Sequence, residues 1–153
     1  MADPEDPRRL LKTADHLVYV TYPIIKESKV LIKALDEIGE SLRGMINLIL
    51  KRENERKMVK IYPSEKDNLE TFIKISKSYG ISPKLLNDIF QIIELSERRK
   101  KSPMEFSRKD KFVMMHETLR TESVSVEDLK RYLCSAKELL KIADSAGIFS
   151  PKT

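Results

Sequence analysis

The segment from Ser28 to Lys57 constrains the fold of this chain more than any other. Its apolar residues recur at intervals of four and three positions, with charged residues on the opposite side. This spacing predicts one amphipathic helix, which at 1.5 Å per residue would be about 45 Å long. A helix of that length spans the whole domain, so the other elements must pack around it. The apolar positions are Leu31, Leu35, Ile38, Leu42, Met45 and Ile49.

Two glycines, Gly39 and Gly44, lie inside this predicted helix. Each costs up to ~1 kcal/mol relative to alanine in a helix interior. Two interpretations are open. Either a neighbouring helix approaches closely at these positions, or the glycines are a tolerated weakness.

Two further helices are predicted from proline signals. The first occupies about residues 7 to 22, with Asp6 as its cap. It should end before Pro23, because proline lacks an N–H and restricts the residue that precedes it. Another begins at Ser82 and Pro83, since proline suits the first helical position, and ends in a basic cluster before Pro103.

Two more helices are predicted from capping signals. Each begins at a serine that is followed three positions later by aspartate, a variant of the capping box. Each closes at a glycine, the usual residue for a left-handed helix end. The capping pairs are Ser64 with Asp67 and Ser125 with Asp128, and the closing glycines are Gly80 and Gly147.

The segment between the last two predicted helices has a weaker pattern. Residues 111 to 116 and 119 to 124 are each compatible with a short strand, which predicts a β-hairpin over residues 111–124. A short helix capped by Ser107 and followed by a loop is the alternative. We expect the hairpin.

These elements predict an all-α fold of about five helices, packed as an antiparallel bundle around the long helix. The chain has 153 residues, the size of a single domain, and only four glycines, which argues against a turn-rich barrel or sandwich. We expect one domain over residues 1–153, with loose ends at 1–6 and 148–153.

The cellular setting is predicted from what the chain contains. The only cysteine, Cys134, indicates a buried or half-buried thiol in a reducing compartment rather than a disulfide. Residues 1–9 lack the apolar stretch of a secretory signal, and no window approaches the ~20 apolar residues of a membrane span. We therefore expect a cytoplasmic protein with no membrane partner.

Signatures of familiar enzyme chemistry are missing from the sequence. It has no Gly-rich phosphate loop and no nucleophile elbow. His16 and His116 have no second ligand at metal-binding spacing, and His116 and Glu117 would point to opposite faces of a strand. We expect no metal and no cofactor, and a binding module rather than an enzyme.

The strongest surface signal is charge, in a chain of net charge +5. One basic cluster has Phe106 and Phe112 interleaved, and such clusters bind the phosphates of RNA or another polyanion while aromatic rings stack on bases. The alternative is a solvated helix end that complements the helix dipole. The cluster comprises Arg98, Arg99, Lys100, Lys101, Arg108, Lys109 and Lys111. A second basic group comprises Lys51, Arg52, Arg56, Lys57 and Lys60.

Several apolar residues lie off the main helical stripes. If they form a partly exposed row, they mark an interface with a second copy of the chain or with another protein. The alternative is that helices of the bundle are buried on two sides. These residues are Tyr19, Val20, Ile24, Ile25, Ile32 and Ile92.

Parts of the sequence resemble two known families. ADHLVYVTYPIIKE at 14–27 and KKSPMEFSRKDKFV at 100–113 are similar to those of a family of small archaeal helical proteins of uncharacterised function. Arg9 and His16, separated by six residues, resemble the arginine–histidine motif of HEPN domains, although that motif lies late in the HEPN bundle. HEPN domains are helical, often dimeric, and in some branches are metal-independent ribonucleases. This resemblance implies a catalytic role for Arg9 and His16.

Overall fold

The computed structural model describes residues 6–149. Within that range no helix is both long and apolar enough to cross a bilayer. The elements are α1 (Pro7–His16), a π-helical turn (Leu17–Thr21), α2 (Tyr22–Ile25), α3 (Ser28–Glu55), α4 (Glu65–Ser76), a 3-10 turn (Lys77–Tyr79), α5 (Pro83–Lys101), β1 (Met104–Arg108), β2 (Lys111–Met115), β3 (Thr121–Ser125) and α6 (Val126–Ser145).

The fold is mostly helical, with a small sheet. If α1, the π-helical turn and α2 are counted as one rod, the described residues form five helices, as predicted. The predicted hairpin is confirmed as β2 and β3. An all-α class is nevertheless incomplete, because β1 adds a third strand in the antiparallel order β1-β2-β3. We did not predict β1 because its alternation is unusual: polar Glu105 and Ser107 face the protein and Phe106 faces away.

Helix α3 is the spine of the molecule. The rod that starts with α1, together with α4, α5, α6 and β2, contacts it. All six apolar positions that predicted this helix have no exposed surface, so its amphipathic pattern is confirmed. Burial of each such side chain contributes about 1.5–3 kcal/mol before the entropy of ordering is subtracted.

The glycines of α3 mark close approaches to other helices. A Cβ at Gly39 would lie 2.5 Å from Ser96 Oγ on α5, and one at Gly44 would lie 2.7 Å from Pro7 Cγ on α1. Both distances are shorter than a normal van der Waals contact. Close approach is therefore the correct interpretation, and these glycines let α1 and α5 pack directly against the spine.

The first helix does not end before Pro23, as we predicted, but continues to Ile25. A π-helical turn precedes the proline, and the Tyr22 N–H bonds to the Leu17 carbonyl five residues back. The widened turn restarts the helix at Tyr22, so Pro23 falls in the first turn of α2, where its missing N–H is tolerated. Lys26, with a φ of 55°, then ends the rod.

Most predicted caps are present. Asp6 accepts a bond from the Arg8 N–H at 2.9 Å, and Ser82 accepts one from the Leu85 N–H at 3.1 Å. Ser125 and Asp128 form both bonds of the capping box, each at 3.0 Å. These bonds satisfy N–H groups that have no partner within the helix.

The capping box predicted at Ser64 is wrong, because this serine makes no side-chain cap bond. The Asn68 amide instead spans the loop that leads into α4. It accepts from the Tyr62 N–H at 2.7 Å and donates to the Tyr62 carbonyl at 2.8 Å. The glycine ends are confirmed: Gly80 and Gly147 have φ values of 76° and 81°.

The predicted loose ends are wrong where the structure describes them. Asp6 caps α1, and Ile148 and Phe149 pack against the core. The Arg8 guanidinium lies 4.6 Å from the centre of the Phe149 ring. The rest of the predicted ends, residues 1–5 and 150–153, lies outside the described residues.

Candidate nucleic-acid interface

The sheet has two different faces. Phe112 and Val124 are opposite each other on β2 and β3, and both are fully buried, as is Met114. Because side chains alternate along a strand, the paired residues Arg108 and Lys111 lie on the other face. We call these the inner and outer faces of the sheet.

The inner face carries two carboxylates that bind the first half of the predicted basic cluster. Glu105 and Glu122 both pair with Met114, one from each side. Arg98 donates from Nε and Nη2 to Glu122 at 2.9 and 2.8 Å. Arg99 donates to Glu105 at 3.4 Å, and more closely to Asp36 on α3, at 2.6 and 3.0 Å. These two arginines therefore connect α5 to the sheet and to the spine.

The electrostatics agree with this structural role. The hydrogen bond from Arg98 lowers the pKa of Glu122, against the effect of its partial burial, and raises the pKa of Arg98. Lys100 donates to Glu40 on α3 at 2.9 Å. Partial burial of Glu40 opposes its ionisation, but the Lys100 bond and the charges of Lys100 and Arg43 lower its pKa overall. Three members of the predicted cluster are thus in ion pairs.

His116 belongs to the same network. Its Nε2 lies 3.2 Å from Glu122 Oε2. The imidazole partner is therefore Glu122 on β3 and not the adjacent Glu117, and both His116 and Glu117 lie beyond the end of β2.

The second half of the predicted cluster lies at the turn between β1 and β2. Arg108, Lys109 and Lys111 are exposed, and none of them pairs with a carboxylate among the described residues. The one acidic residue of the turn, Asp110, accepts a bond from the Tyr22 hydroxyl at 3.1 Å. Lys101 is also exposed, but it lies at the end of α5, and the five residues of β1 separate it from the turn.

The fold adds two lysines that the cluster in the sequence did not include. Ser28 Oγ and Ser107 Oγ are 2.5 Å apart, which brings the start of α3 to the end of β1. Lys26 and Lys29 flank Ser28, are exposed, and form no ion pair with any described residue. No sequence signal connects them to a turn that lies about eighty positions later. We name these five cations the basic corner: Lys26, Lys29, Arg108, Lys109 and Lys111.

The two interleaved phenylalanines have different positions. Phe112 is fully buried, so the prediction that it can stack on a base is wrong. Phe106 is half-buried on the outer face, where it pairs with Val113 across β1 and β2. It precedes Arg108 by two residues, so both side chains lie on that face.

Arg9 and His16 are both exposed on α1, a helix that packs against α3 and α6. Their seven-residue separation is two helical turns, about 10.5 Å along the axis. Neither side chain makes a hydrogen bond with another described residue. The structure does not bring them to the basic corner.

Cys134 is exposed, so the prediction of a buried or half-buried thiol is wrong. It lies on the outward side of α6, between the buried residues Leu133 and Ala136, and lines a cleft of about 790 Å³ between α5 and α6. Within residues 6–149, no three histidine, cysteine or acidic side chains converge as a metal site would require.

The apolar residues off the helical stripes divide into two groups. Ile92 is buried and Ile32 packs against the core, so these two serve the interior. The other four are exposed, Ile24 most of all at 79 %. They form a row on the π-helical turn and α2: Tyr19, Val20, Ile24 and Ile25.

Comparison with known proteins yields no relatives. No family model, no curated protein and no solved structure matches this chain.

Proposed function

We propose that this protein binds single-stranded RNA on the outer face of its sheet. One observation carries the proposal. Phe106 lies on that face beside Arg108 and Lys111, and neither cation has an ion-pair partner among the described residues. Single-stranded nucleic acids are held by this combination of a ring for a base and cations for the backbone.

The basic corner supplies further cations next to this face. Lys26 and Lys29 add two cations beside the β1–β2 turn, because Ser28 at the start of α3 contacts Ser107 at the end of β1. A bound strand gains affinity through the release of counterions from its phosphates, so its affinity falls as salt rises. Stacking of one base on an aromatic ring adds about 1–3 kcal/mol, with little preference for sequence.

The test is fluorescence anisotropy of a labelled single-stranded RNA. A variant with Arg108→Glu, Lys109→Glu and Lys111→Glu is compared with a matched one carrying Lys66→Glu, Lys74→Glu and Lys77→Glu on the exposed side of α4 and its following turn. Both change the net charge equally. We expect the first to lose at least tenfold in affinity and the second to stay close to the wild type. An equal loss in both would overturn the site.

Phe106→Ala tests the stacking contribution separately. It should weaken binding by about 1–3 kcal/mol at any salt concentration, because it removes no charge. Its control is Phe149→Ala, since Phe149 packs on the core near α1 and not on the sheet. If both changes have the same effect on RNA affinity, Phe106 is not a stacking residue.

A homodimer is a second candidate role, supported by the exposed apolar row. Ile24 and Ile25 are more than half exposed, and Tyr19 and Val20 nearly so, on successive turns of one helical rod. Contiguous exposed apolar residues mark protein interfaces. Sedimentation velocity tests this role: the wild type should sediment as a dimer and Ile24→Glu as a monomer. A monomeric wild type at high concentration would rule the role out.

The HEPN resemblance implies a ribonuclease role, which is tested by measuring RNA cleavage in the same binding samples. Both Arg9 and His16 are exposed on one helix, so RNA can reach them. Our proposal is binding without cleavage, and the RNA should remain intact. Cleavage that disappears in His16→Ala, with folding retained, would replace this proposal with the enzymatic one.

A further inference from the structure

A second open cleft lies at the opposite end of α3 from the basic corner. It has a volume of about 840 Å³ and lies between the end of α3, the 3-10 turn and the end of α6. Ligand pockets of small molecules are about 300–1,000 Å³, so the cleft has the size of a nucleotide site. The residues that the argument uses are Arg52, Glu53, Arg56, Met58, Tyr79 and Lys141.

The cleft contains a nearly buried carboxylate. Glu53 is only 9 % exposed, and its Oε1 accepts a hydrogen bond from the Tyr79 hydroxyl at 2.5 Å. Burial and this bond raise the pKa of Tyr79 to about 12, so the phenol remains a donor at neutral pH. The contact from Arg56, at 3.6 Å, also reaches Oε1. No hydrogen bond from a described residue reaches Glu53 Oε2, so this oxygen can accept one from a ligand.

Cations surround this carboxylate. The Arg52 guanidinium donates to the Ala146 carbonyl, which fixes it between α3 and α6. Arg56 is exposed and its contact with Glu53 is long for an ion pair. Lys141 on α6 is exposed and pairs with no described carboxylate. Among the described residues that line the cleft, three are cations and one, Glu53, is a carboxylate, which favours an anionic ligand.

Apolar surface completes the lining. Met58 is 71 % exposed, an uncommon position for a flexible apolar side chain. The ring of Tyr79 and the side chain of Ile142 also line the cleft. Methionine makes favourable contacts with aromatic rings and adapts to their shape. The cleft thus offers three kinds of contact: cations for an anion, a buried carboxylate for an N–H donor, and an apolar surface for a planar ring.

We propose that this cleft binds a nucleoside monophosphate. The phosphate would contact Arg56 and Lys141, the base would pack against Met58 and Tyr79, and an amino group of the base would donate to Glu53. Inorganic phosphate lacks the ring and the donor, and a free nucleoside lacks the anion, so each matches only part of the lining. This site does not depend on RNA binding at the basic corner, because the two surfaces lie at opposite ends of α3.

Isothermal titration calorimetry with AMP, adenosine and inorganic phosphate tests the proposal. We expect AMP to bind at least tenfold more tightly than adenosine or phosphate. Lys141→Ala and Glu53→Gln should each weaken AMP binding at least fivefold. The control Lys84→Ala, an exposed lysine at the other cleft, should leave it unchanged. Circular dichroism shows whether each variant remains folded.

Three results would overturn the site. They are no AMP binding at millimolar concentration, equal affinities for AMP and phosphate, or an AMP affinity that Lys141→Ala leaves unchanged. The variant with Arg108→Glu, Lys109→Glu and Lys111→Glu separates this proposal from the RNA proposal. It should lose RNA binding and retain AMP binding.

Discussion

Arg98 on α5 binds Glu122 on β3 through two parallel hydrogen bonds, at 2.9 and 2.8 Å. Arg99, the next residue, binds Asp36 on the spine in the same bidentate manner. In a sequence, a run of four basic residues at a helix end is typical of a site that binds a polyanion. Here Arg98 and Arg99 connect α5 to the sheet and to α3. The RNA-binding surface that we propose therefore does not include them.

Arg98→Ala should therefore affect stability and not RNA affinity. The pair is partly exposed, since Arg98 has 45 % of its side chain accessible, so solvent screens it and its contribution is about 1 kcal/mol or less. Urea denaturation should show a loss of that order. Lys101→Ala removes a cation from the same helix end that pairs with no described carboxylate, and it should leave the unfolding free energy unchanged. A large fall in RNA affinity for Arg98→Ala would contradict our division of the cluster.

Lowering the pH should weaken the Arg98–Glu122 ion pair and so lower the free energy of unfolding. The pKa of Glu122 is lowered in the folded protein, chiefly by the Arg98 hydrogen bond. Its contribution to stability is therefore complete above the ordinary value of 4.5 and is lost as the pH falls below it. Urea denaturation at pH 7 and at pH 3 should show a smaller pH-dependent loss for Glu122→Gln than for the wild type. An identical loss in both proteins would show that Glu122 does not contribute.

Raising the pH should lower the free energy of unfolding through Tyr79, which lines the cleft at the end of α3. The pKa of Tyr79 is raised to about 12, by burial and by its bond to Glu53. The folded state holds this proton more tightly than the unfolded chain, so the stabilisation is present below pH 10 and is lost between pH 10 and 12. Tyr79→Phe should remove that dependence, whereas Tyr62→Phe, an exposed control, should not. Equal pH profiles for Tyr79→Phe and the wild type would contradict the assignment.

The two predicted capping boxes provide a matched comparison. Ser125 accepts a bond from the Asp128 N–H, so Ser125→Ala should lower the unfolding free energy by about 1 kcal/mol. Ser64 makes no cap bond, so Ser64→Ala should lower the unfolding free energy by only about 0.3 kcal/mol. Thermal and urea denaturation measure both. Equal losses would mean that Ser64 caps α4 in solution.

The helices were predictable because their signals are local. The spacing of Leu31, Leu35 and Ile38 depends only on neighbouring residues, as does the Ser125 capping box. Strand β1 was not predictable, because Glu105 and Ser107 face inward only when Arg99 and Ser28 are there to contact them. Pro23 likewise ends a helix by its local rule, and it is accommodated here by a π-helical turn.

Only the part of the candidate site that consists of neighbours in sequence was predictable. Arg108, Lys109 and Lys111 are neighbours in sequence and remain together at the turn. Whether a cation is free or paired depends on carboxylates that are distant in sequence, as Glu122 is from Arg98. Lys26 and Lys29 joined the site only through the packing of α3 against β1.

The central claim is that RNA phosphates contact the cations of the β1–β2 turn. The most direct measurement is the dependence of RNA affinity on salt for the wild type and for the variant with Arg108→Ala, Lys109→Ala and Lys111→Ala. Each phosphate contact with a single strand contributes about 0.7 to the slope of log affinity against log salt concentration. We predict a slope that is smaller by about 2 in the variant. An unchanged slope, or no binding by the wild type at low salt, would contradict the claim.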